Sequence, residues 1–316
     1  MKVIEHLERA TNPLISYEII PPLRGGNIKA LLSLIEDLVP FNPPFIDTTS
    51  HGAQVVFEET PTGIQRRKKR KRPGTLGICA LIQNKFHIDA VPHVLCHGFT
   101  REETEDFLIE LKYLGIDNVL AIKGDENGYQ KPLTFGRSAN QSATDLVGQI
   151  ADMNRGHYLE EDLADAEPSD FCIGIAGYPE KHFEAPNMES DLRHTKKKVD
   201  AGGDYLVTQM FYENRYYFEY VEKCRAIGID VPIIPGLKIL TTKKQLTSIP
   251  RMFFCEIPSA LSDEVEAAKP EHVIDIGVEW TRRQVEELLS RGVPSLHFYV
   301  MQKSQPIRML MKGLDL

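Results

Sequence analysis

Short apolar runs rich in β-branched residues recur along the chain, and stretches with helical spacing fill the gaps between them. The runs Leu14–Ile20, Pro44–Thr49, Ala90–Cys96, Asn118–Ile122, Phe171–Ala176, Tyr205–Met210, Val231–Pro235 and Ser295–Val300 read as buried strands. The stretches Ile28–Leu38, Gly74–Gln83, Arg101–Leu114, Ala143–Asn154, Met188–Ala201, Tyr216–Ile227, Lys243–Ile249 and His272–Arg291 read as helices. Helix ends agree: Thr100 and Glu103 make a capping box, and Gly115, Gly202, Gly228 and Gly292 follow helices. Eight strands alternating with eight helices predict an α/β chain folded as a single (β/α)₈ barrel, the TIM-barrel class, over residues 1–316. Alternation alone does not prove closure, so a doubly wound open sheet is the competing architecture.

Two segments break this rhythm. Gln65–Arg72 is densely basic and is expected to be a solvated loop after the second strand; attraction of an anionic substrate, or of nucleic acid, are its other readings. Gly156–Asp170 is acidic and is expected to be an exposed insertion on the opposite rim.

Composition narrows the class. Over 316 residues, 42% hydrophobic and 26% charged residues suit a folded globular chain. Lys+Arg 37 against Asp+Glu 45 leaves a net charge of −8, which argues against a dedicated nucleic-acid binder. The five cysteines are scattered, with no Cys-x-x-Cys pair, and read as reduced thiols. No apolar run approaches the roughly 18 residues of a membrane span. Met1–Leu14 carries acids where a signal peptide needs apolar residues, so a cytoplasmic protein is expected. The common dinucleotide, P-loop and zinc-protease fingerprints are missing.

In such a barrel, chemistry collects where strands end at their carboxyl side. Glu18 lies inside the apolar first strand, where an unpaired carboxylate is costly and desolvation moves its pKa toward general-acid range; a structural ion pair is the alternative. Lys123, Gly124 and Asp125 end the fourth strand, with Gly124 allowing close backbone approach and Asp125 able to orient a ligand, unless they form an ordinary polar turn. His93, Cys96 and His97 end the third strand; lacking further ligands they imply no metal, and one histidine pointing at a ligand is the better reading. Asp191, His194 and Lys198 share a helix face, with Lys197 beside it, suiting a ribose and pyrophosphate or simply a solvated charged face. Gln209 offers the paired donor and acceptor that match the amide edge of a pterin or purine.

Nine segments in this order resemble the methylenetetrahydrofolate reductase family. They are Ser16–Pro22, Asp47–Gly52, Pro92–Cys96, Ala121–Asp125, Ala176–His182, Asp191–Gly202, Thr208–Tyr212, Ile233–Leu237 and Leu296–Tyr299. The resemblance implies a (β/α)₈ catalytic unit that binds FAD and takes NADH or NADPH as reductant. It further implies ping-pong reduction of 5,10-methylenetetrahydrofolate to 5-methyltetrahydrofolate, which feeds methionine synthesis. By position it makes Glu18 and Asp125 the catalytic acids, Glu18 protonating a folate nitrogen and Asp125 contacting both flavin and pterin. Thr49, Ser50, Gly52, His93, Lys123, Gly124, Asp125, Ala143 and Tyr178 are implied to hold the flavin ring, and His182, Asp191, His194, Lys197 and Lys198 the ribose, pyrophosphate and adenine. Asp125, Tyr178, Gln209, Gln245, Tyr299 and Lys303 fall on the substrate side. A homo-oligomer is also implied, with no nucleic-acid or membrane partner.

Departures from the family pattern are Ile19–Ile20 in place of an aromatic pair, and lysine in place of arginine at Lys123, Lys197 and Lys303. Lysine lacks the bidentate fork of arginine, which changes how these positions grip an anion. A folate carries a glutamate tail that the basic run can attract. The chain stops just past the eighth strand, so no regulatory domain is expected. A flavin-free pterin-binding barrel enzyme is the competing function.

Overall fold

The computed structural model describes residues 1–125, 131–160, 163 and 165–314. Its strands in chain order are β1 (Leu14–Ile19), β2 (Phe45–Thr48), β3 (Gln54–Thr60), β4 (Gly63–Lys69), β5 (Asp89–Leu95), β6 (Asn118–Ile122), β7 (Cys172–Gly177), β8 (Tyr205–Thr208), β9 (Ile233–Ile234), β10 (Gly236–Leu237) and β11 (Ser295–Met301). Its α-helices are α1 (Val3–Arg9), α2 (Ile28–Leu38), α3 (Leu76–Leu81), α4 (Arg101–Tyr113), α5 (Ala143–Asn154), α6 (Met188–Asp200), α7 (Asn214–Ala226), α8 (Gln245–Phe253), α9 (Ser259–Ala267), α10 (Val273–Ser290) and α11 (Gln305–Met311).

All eight anticipated strands pair in parallel, in the order β10-β11-β1-β2-β5-β6-β7-β8-β9. β9 and β10 are one barrel strand broken at Pro235, which has no N–H to give to a ladder. Because these two short pieces flank one residue and pair with opposite ends of the sheet, the sheet closes on itself and the open-sheet alternative falls. The outward side chains Ile15, Tyr17 and Ile19 of β1 join the layer under the helices. Inward, Phe45, Val91, Leu120, Cys172, Tyr205, Val207 and Ile234 fill the lower barrel, and Val3, Ile4 and Leu7 of α1 pack against them from below. Gly277 lets α10 approach the backbone after β10: a Cβ there would sit 1.8 Å from the Leu240 carbonyl oxygen.

Five elements escape the hydrophobic pattern. β3 and β4 form an antiparallel hairpin, Gln54 opposite Lys69 and Thr60 opposite Gly63, so Gln65–Lys69 is a strand rather than a loop. β4 is exposed along its whole length and has no apolar alternation; its conformation comes from pairing with β3. Helices α1, α9 and α11 are short, seven to nine residues, and offer too few turns for a clear period. Helix α8 runs past Pro250 to Phe253, further than anticipated. In the acidic stretch, residues 161, 162 and 164 lie outside the described residues, and exposed Glu167 pairs with Lys112 at 3.1 Å. Among the described residues no helix is long and apolar enough to cross a membrane.

Candidate active site

At the inner end of the barrel mouth lies a cluster of buried titratable groups. Glu18 faces inward from β1, level with Asp47 on β2 and Tyr299 on β11. The β1–β11 register shifts immediately after Glu18, and Met301 opposite adopts a left-handed φ of 65°, so a bulge fixes where this carboxyl points. His93 on β5 brings Nε2 to 3.4 Å from Glu18 Oε2 and 3.6 Å from Asp47 Oδ2. One layer below, Ser16 Oγ and His297 Nδ1 are 2.8 Å apart.

The chemistry follows from dryness. Glu18 is 7% exposed and Asp47 fully buried. Desolvation pushes Glu18 up to about 7; His93 and Lys238 oppose the rise and Asp47 adds to it. Burial likewise lifts Asp47 to about 7, with His297 opposing. The same burial lowers His93 and His297 below the usual imidazole value, so both favour the neutral form. A carboxyl that keeps its proton near neutrality is a general acid in waiting.

Two cavities open at the carboxyl ends of the barrel strands. The first, about 240 Å³, is lined by Ser50–Gln54 from the β2–β3 turn, Leu95, His97 and Gly98 after β5, and Ile122, Gly124 and Asp125 after β6. Three glycines sit in its wall among polar and apolar side chains: Gly98 and Gly124 have φ of 86° and 85°, and a Cβ on Gly52 would lie 3.1 Å from the His97 carbonyl, so the turns after β2 and β5 meet closely. His51 Nδ1 in this wall, and Thr49 Oγ1 two residues before it, are buried without hydrogen-bond partners among the described residues. A cavity of this size with mixed apolar and polar walls suits a heteroaromatic ring. Lys71 and Arg72, at the end of the basic run, also line this cavity.

The second cavity, about 290 Å³, is lined by Lys238, Thr241, Thr242, Gln245, Tyr299 and Lys303, among others. Tyr299 donates its hydroxyl to the Thr208 carbonyl at 2.6 Å, and Lys238 donates to the Tyr299 carbonyl at 2.6 Å. Gln245 uses its amide oxygen to accept from the Thr241 and Thr242 N–H groups at 2.7 and 2.9 Å, so it braces the turn that shapes this wall. Gln209 accepts from the Met210 N–H at 2.9 Å.

Helix α6 splits the third group of candidates. Asp191 and Lys198 are buried, whereas His194 and Lys197 are exposed on its solvent side. Asp191 accepts the His182 backbone N–H at 3.0 Å, and Lys198 donates to the Ala176 carbonyl, its ammonium 5.9 Å from the Tyr178 ring centre. The half-buried Tyr178 meets His182 edge-on at 4.5 Å. Lys123 forms a two-pronged pair with Glu184 at 2.8 and 2.9 Å, tying the β6 and β7 loops together. Ala143 is the first residue of α5, whose Ser142 cap accepts from the Cys96 thiol at 3.2 Å. Among the described residues no three or more His, Cys, Asp or Glu side chains converge to hold a metal.

Sequence reasoning passed over Asp47, His297 and Lys238. The signal for Asp47 was present: Phe45-Ile46-Asp47-Thr48 buries an acid in an apolar strand, as the Glu18 segment does. Lys238 follows a broken strand, where no pattern marks its direction. Phe183 and Phe254, stacked at 4.7 Å and both exposed, extend an aromatic row from Tyr178 through His182 that only the fold assembles.

Comparison with known proteins adds a family. A family model described as methylenetetrahydrofolate reductase matches residues 2–315. The chain is 31% identical over 304 residues to methylenetetrahydrofolate reductase 1 of Schizosaccharomyces pombe, covering 95% of the chain and 46% of that protein. It is 29% identical over 315 residues to the NADH-named enzyme 1 of Arabidopsis thaliana, covering 95% and 48%. The 5,10-methylenetetrahydrofolate reductase of Salmonella typhimurium is 28% identical over 299 residues, covering 92% of the chain and 87% of that protein. The chain thus spans about half the length of the fungal and plant relatives. Among solved structures, a Clostridium thermocellum protein described as binding two copies of 5-methyl-5,6,7,8-tetrahydrofolic acid superposes with a TM-score of 0.59 at 14% identity, covering 98% of each chain. Oxaloacetate acetylhydrolase superposes at 0.53 with 9% identity, covering 98% of this chain and 83% of that one. At such identities these two likenesses concern the barrel alone.

Proposed function

The chain belongs to the methylenetetrahydrofolate reductase family, and from that premise we propose that it reduces 5,10-methylenetetrahydrofolate to 5-methyltetrahydrofolate with FAD and a reduced nicotinamide. The observation that carries this reading is Glu18, a buried carboxyl on the first barrel strand, level with Asp47 and Tyr299, 3.4 Å from His93 and held near neutral pKa. In this reading the isoalloxazine would lie in the cavity lined by Ser50, Gly52, Gly124 and Asp125, with Thr49 next to Ser50, and Asp191 and Lys198 would anchor the remainder of FAD by way of the Tyr178–His182 turn. A flavin held there would supply the redox chemistry that links the reduced nicotinamide to the folate.

The protein's own part is proton delivery, orientation and exclusion of water. Glu18 gives its proton to a ring nitrogen of the folate, whose five-membered ring then opens to an iminium that can accept hydride. Tyr299, Lys238 and the Gln245-braced turn shape the wall against which the folate lies. Asp125, exposed at the rim of the flavin cavity, contacts flavin and pterin together. Burial keeps water from competing for the proton on Glu18.

The test is optical. Purified protein given FAD turns yellow, bleaches anaerobically with NADH or NADPH, and recolours when methylenetetrahydrofolate is added. Protein that stays colourless with FAD present, yet binds folate, would instead favour the flavin-free pterin-binding barrel.

A further inference from the structure

The fold places a second acid beside Glu18 that the mechanism above leaves idle. Asp47 is fully buried, neither of its carboxylate oxygens meets a hydrogen-bond partner among the described residues, and its register neighbour on β1 is Glu18 itself. An anion so placed is poorly tolerated, since burying a charge without donors costs several kcal/mol. Every group facing the pair is either neutral by preference or set to one side. His93 from β5 sits between the two carboxyls. His297 and Tyr299 approach from β11, Tyr205 from β8 and the Cys79 thiol from α3. The cation in range, Lys238, acts on Glu18.

We infer that Asp47 is a positioning residue for Glu18: the two carboxyls, each within 3.6 Å of His93 Nε2, hold one proton between them at neutral pH, and Asp47 thereby sets the pH range over which Glu18 can act as an acid. The inference rests on the proposed role of Glu18 but not on flavin. Two like charges on paired positions of adjacent strands, in a dry layer, do not ionise together, so the pair titrates in two separated steps. When Glu18 passes its proton to substrate, both carboxyls are momentarily charged. That is the least stable state of the pair, and it draws a proton back from water through the mouth before the next turnover. His93 keeps either carboxyl within reach of one imidazole nitrogen.

The experiment is a titration of the protein without flavin or folate, following side-chain carboxyl ¹³C resonances of Asp and Glu, in the wild type and in Asp47→Asn. The wild type is expected to show two coupled steps, the upper near neutrality, on both Glu18 and Asp47. Asp47→Asn should leave Glu18 with one step, moved down by at least about one pH unit. In the flavin-loaded enzyme the midpoint for folate reduction should move down by the same amount, while that for bleaching by nicotinamide stays put. A residue that merely packs would change rate without moving the midpoint. Should Asp47→Asn fail to fold, the wild-type titration decides alone: Asp47 titrating in the ordinary carboxylate range, independent of Glu18, overturns the inference. Coupled steps in a protein that never reduces the folate would overturn the proposed function and leave the shared proton standing; uncoupled steps in an active enzyme would do the reverse.

Discussion

A carboxyl at the inner end of a barrel strand gains nothing from burial unless it keeps its proton or finds a cation. Glu18 does the first: desolvation raises its pKa, and His93, then Lys238, hold the rise near 7. This has a consequence for stability. Glu18 and Asp47 are raised from 4.5 and 3.8 to about 7, so the native chain binds more protons than the unfolded one between those values. Their contribution is complete below the unfolded values and is lost as pH rises through about 7. His93 and His297 are lowered from 6.5 and act oppositely, favouring the fold as pH rises through that value. Glu18→Gln removes only the first effect at one site. The variant's melting temperature, measured against wild type at about pH 5 and about pH 8, should therefore improve at the higher pH. An unchanged difference across that range would mean that Glu18 is not desolvated as described. At this scale the sequence was informative: an acid in an apolar run is visible without coordinates, and Asp47 was visible by the same rule.

At the scale of elements, the eight strands and the long helices were legible because burial imposes a period on them. The hairpin, α1, α9 and α11 were not, because pairing or docking rather than pattern decides them. Helix α6 shows the limit of reading a face from spacing. Asp191, His194 and Lys198 fall within one arc, but the helix is buried only along the line of Asp191 and Lys198, and His194 stays in solvent with Lys197. The two buried groups fix the Tyr178–His182 turn, one through the His182 N–H and the other through the Ala176 carbonyl. Replacing Asp191 and Lys198 together by Ala should release FAD on gel filtration of the loaded protein. Replacing exposed His194 and Lys197 tests whether adenine and phosphate reach the outer side of the helix: flavin lost there as well extends the site outward, and flavin retained confines it to the buried line. Full retention in the first double variant would contradict the placement of FAD along α6.

Across the whole molecule, charge is unevenly spread. The chain carries a net −8, yet the hairpin strand β4 and the residues after it gather a dense set of cations, two of which, Lys71 and Arg72, line the cavity beside the β2–β3 turn. That strand is exposed, so its field is open to salt, with screening over about 8–10 Å at physiological ionic strength. If the cations draw in the glutamate tail of the folate, neutralising Arg66, Arg67, Lys68 and Lys69 should raise KM for a polyglutamylated folate more than for the monoglutamate. The gap should close as salt is added. Equal effects on both substrates would return the hairpin to the role of a solvated edge.

The barrel closes because strands distant in sequence meet, and that closure brings Glu18 of the first strand beside Tyr299 of the last and His93 of the third. The account stands on Glu18 being the acid for the folate step alone. Stopped-flow absorbance of flavin-loaded Glu18→Gln, one substrate at a time, tests this most directly. Bleaching by the nicotinamide needs no protein proton and should stay within about an order of magnitude of wild type, whereas recolouring by methylenetetrahydrofolate should fall by roughly 10²–10⁴-fold, the contribution of a positioned acid. Both steps slowed alike, or recolouring left intact, would contradict the account.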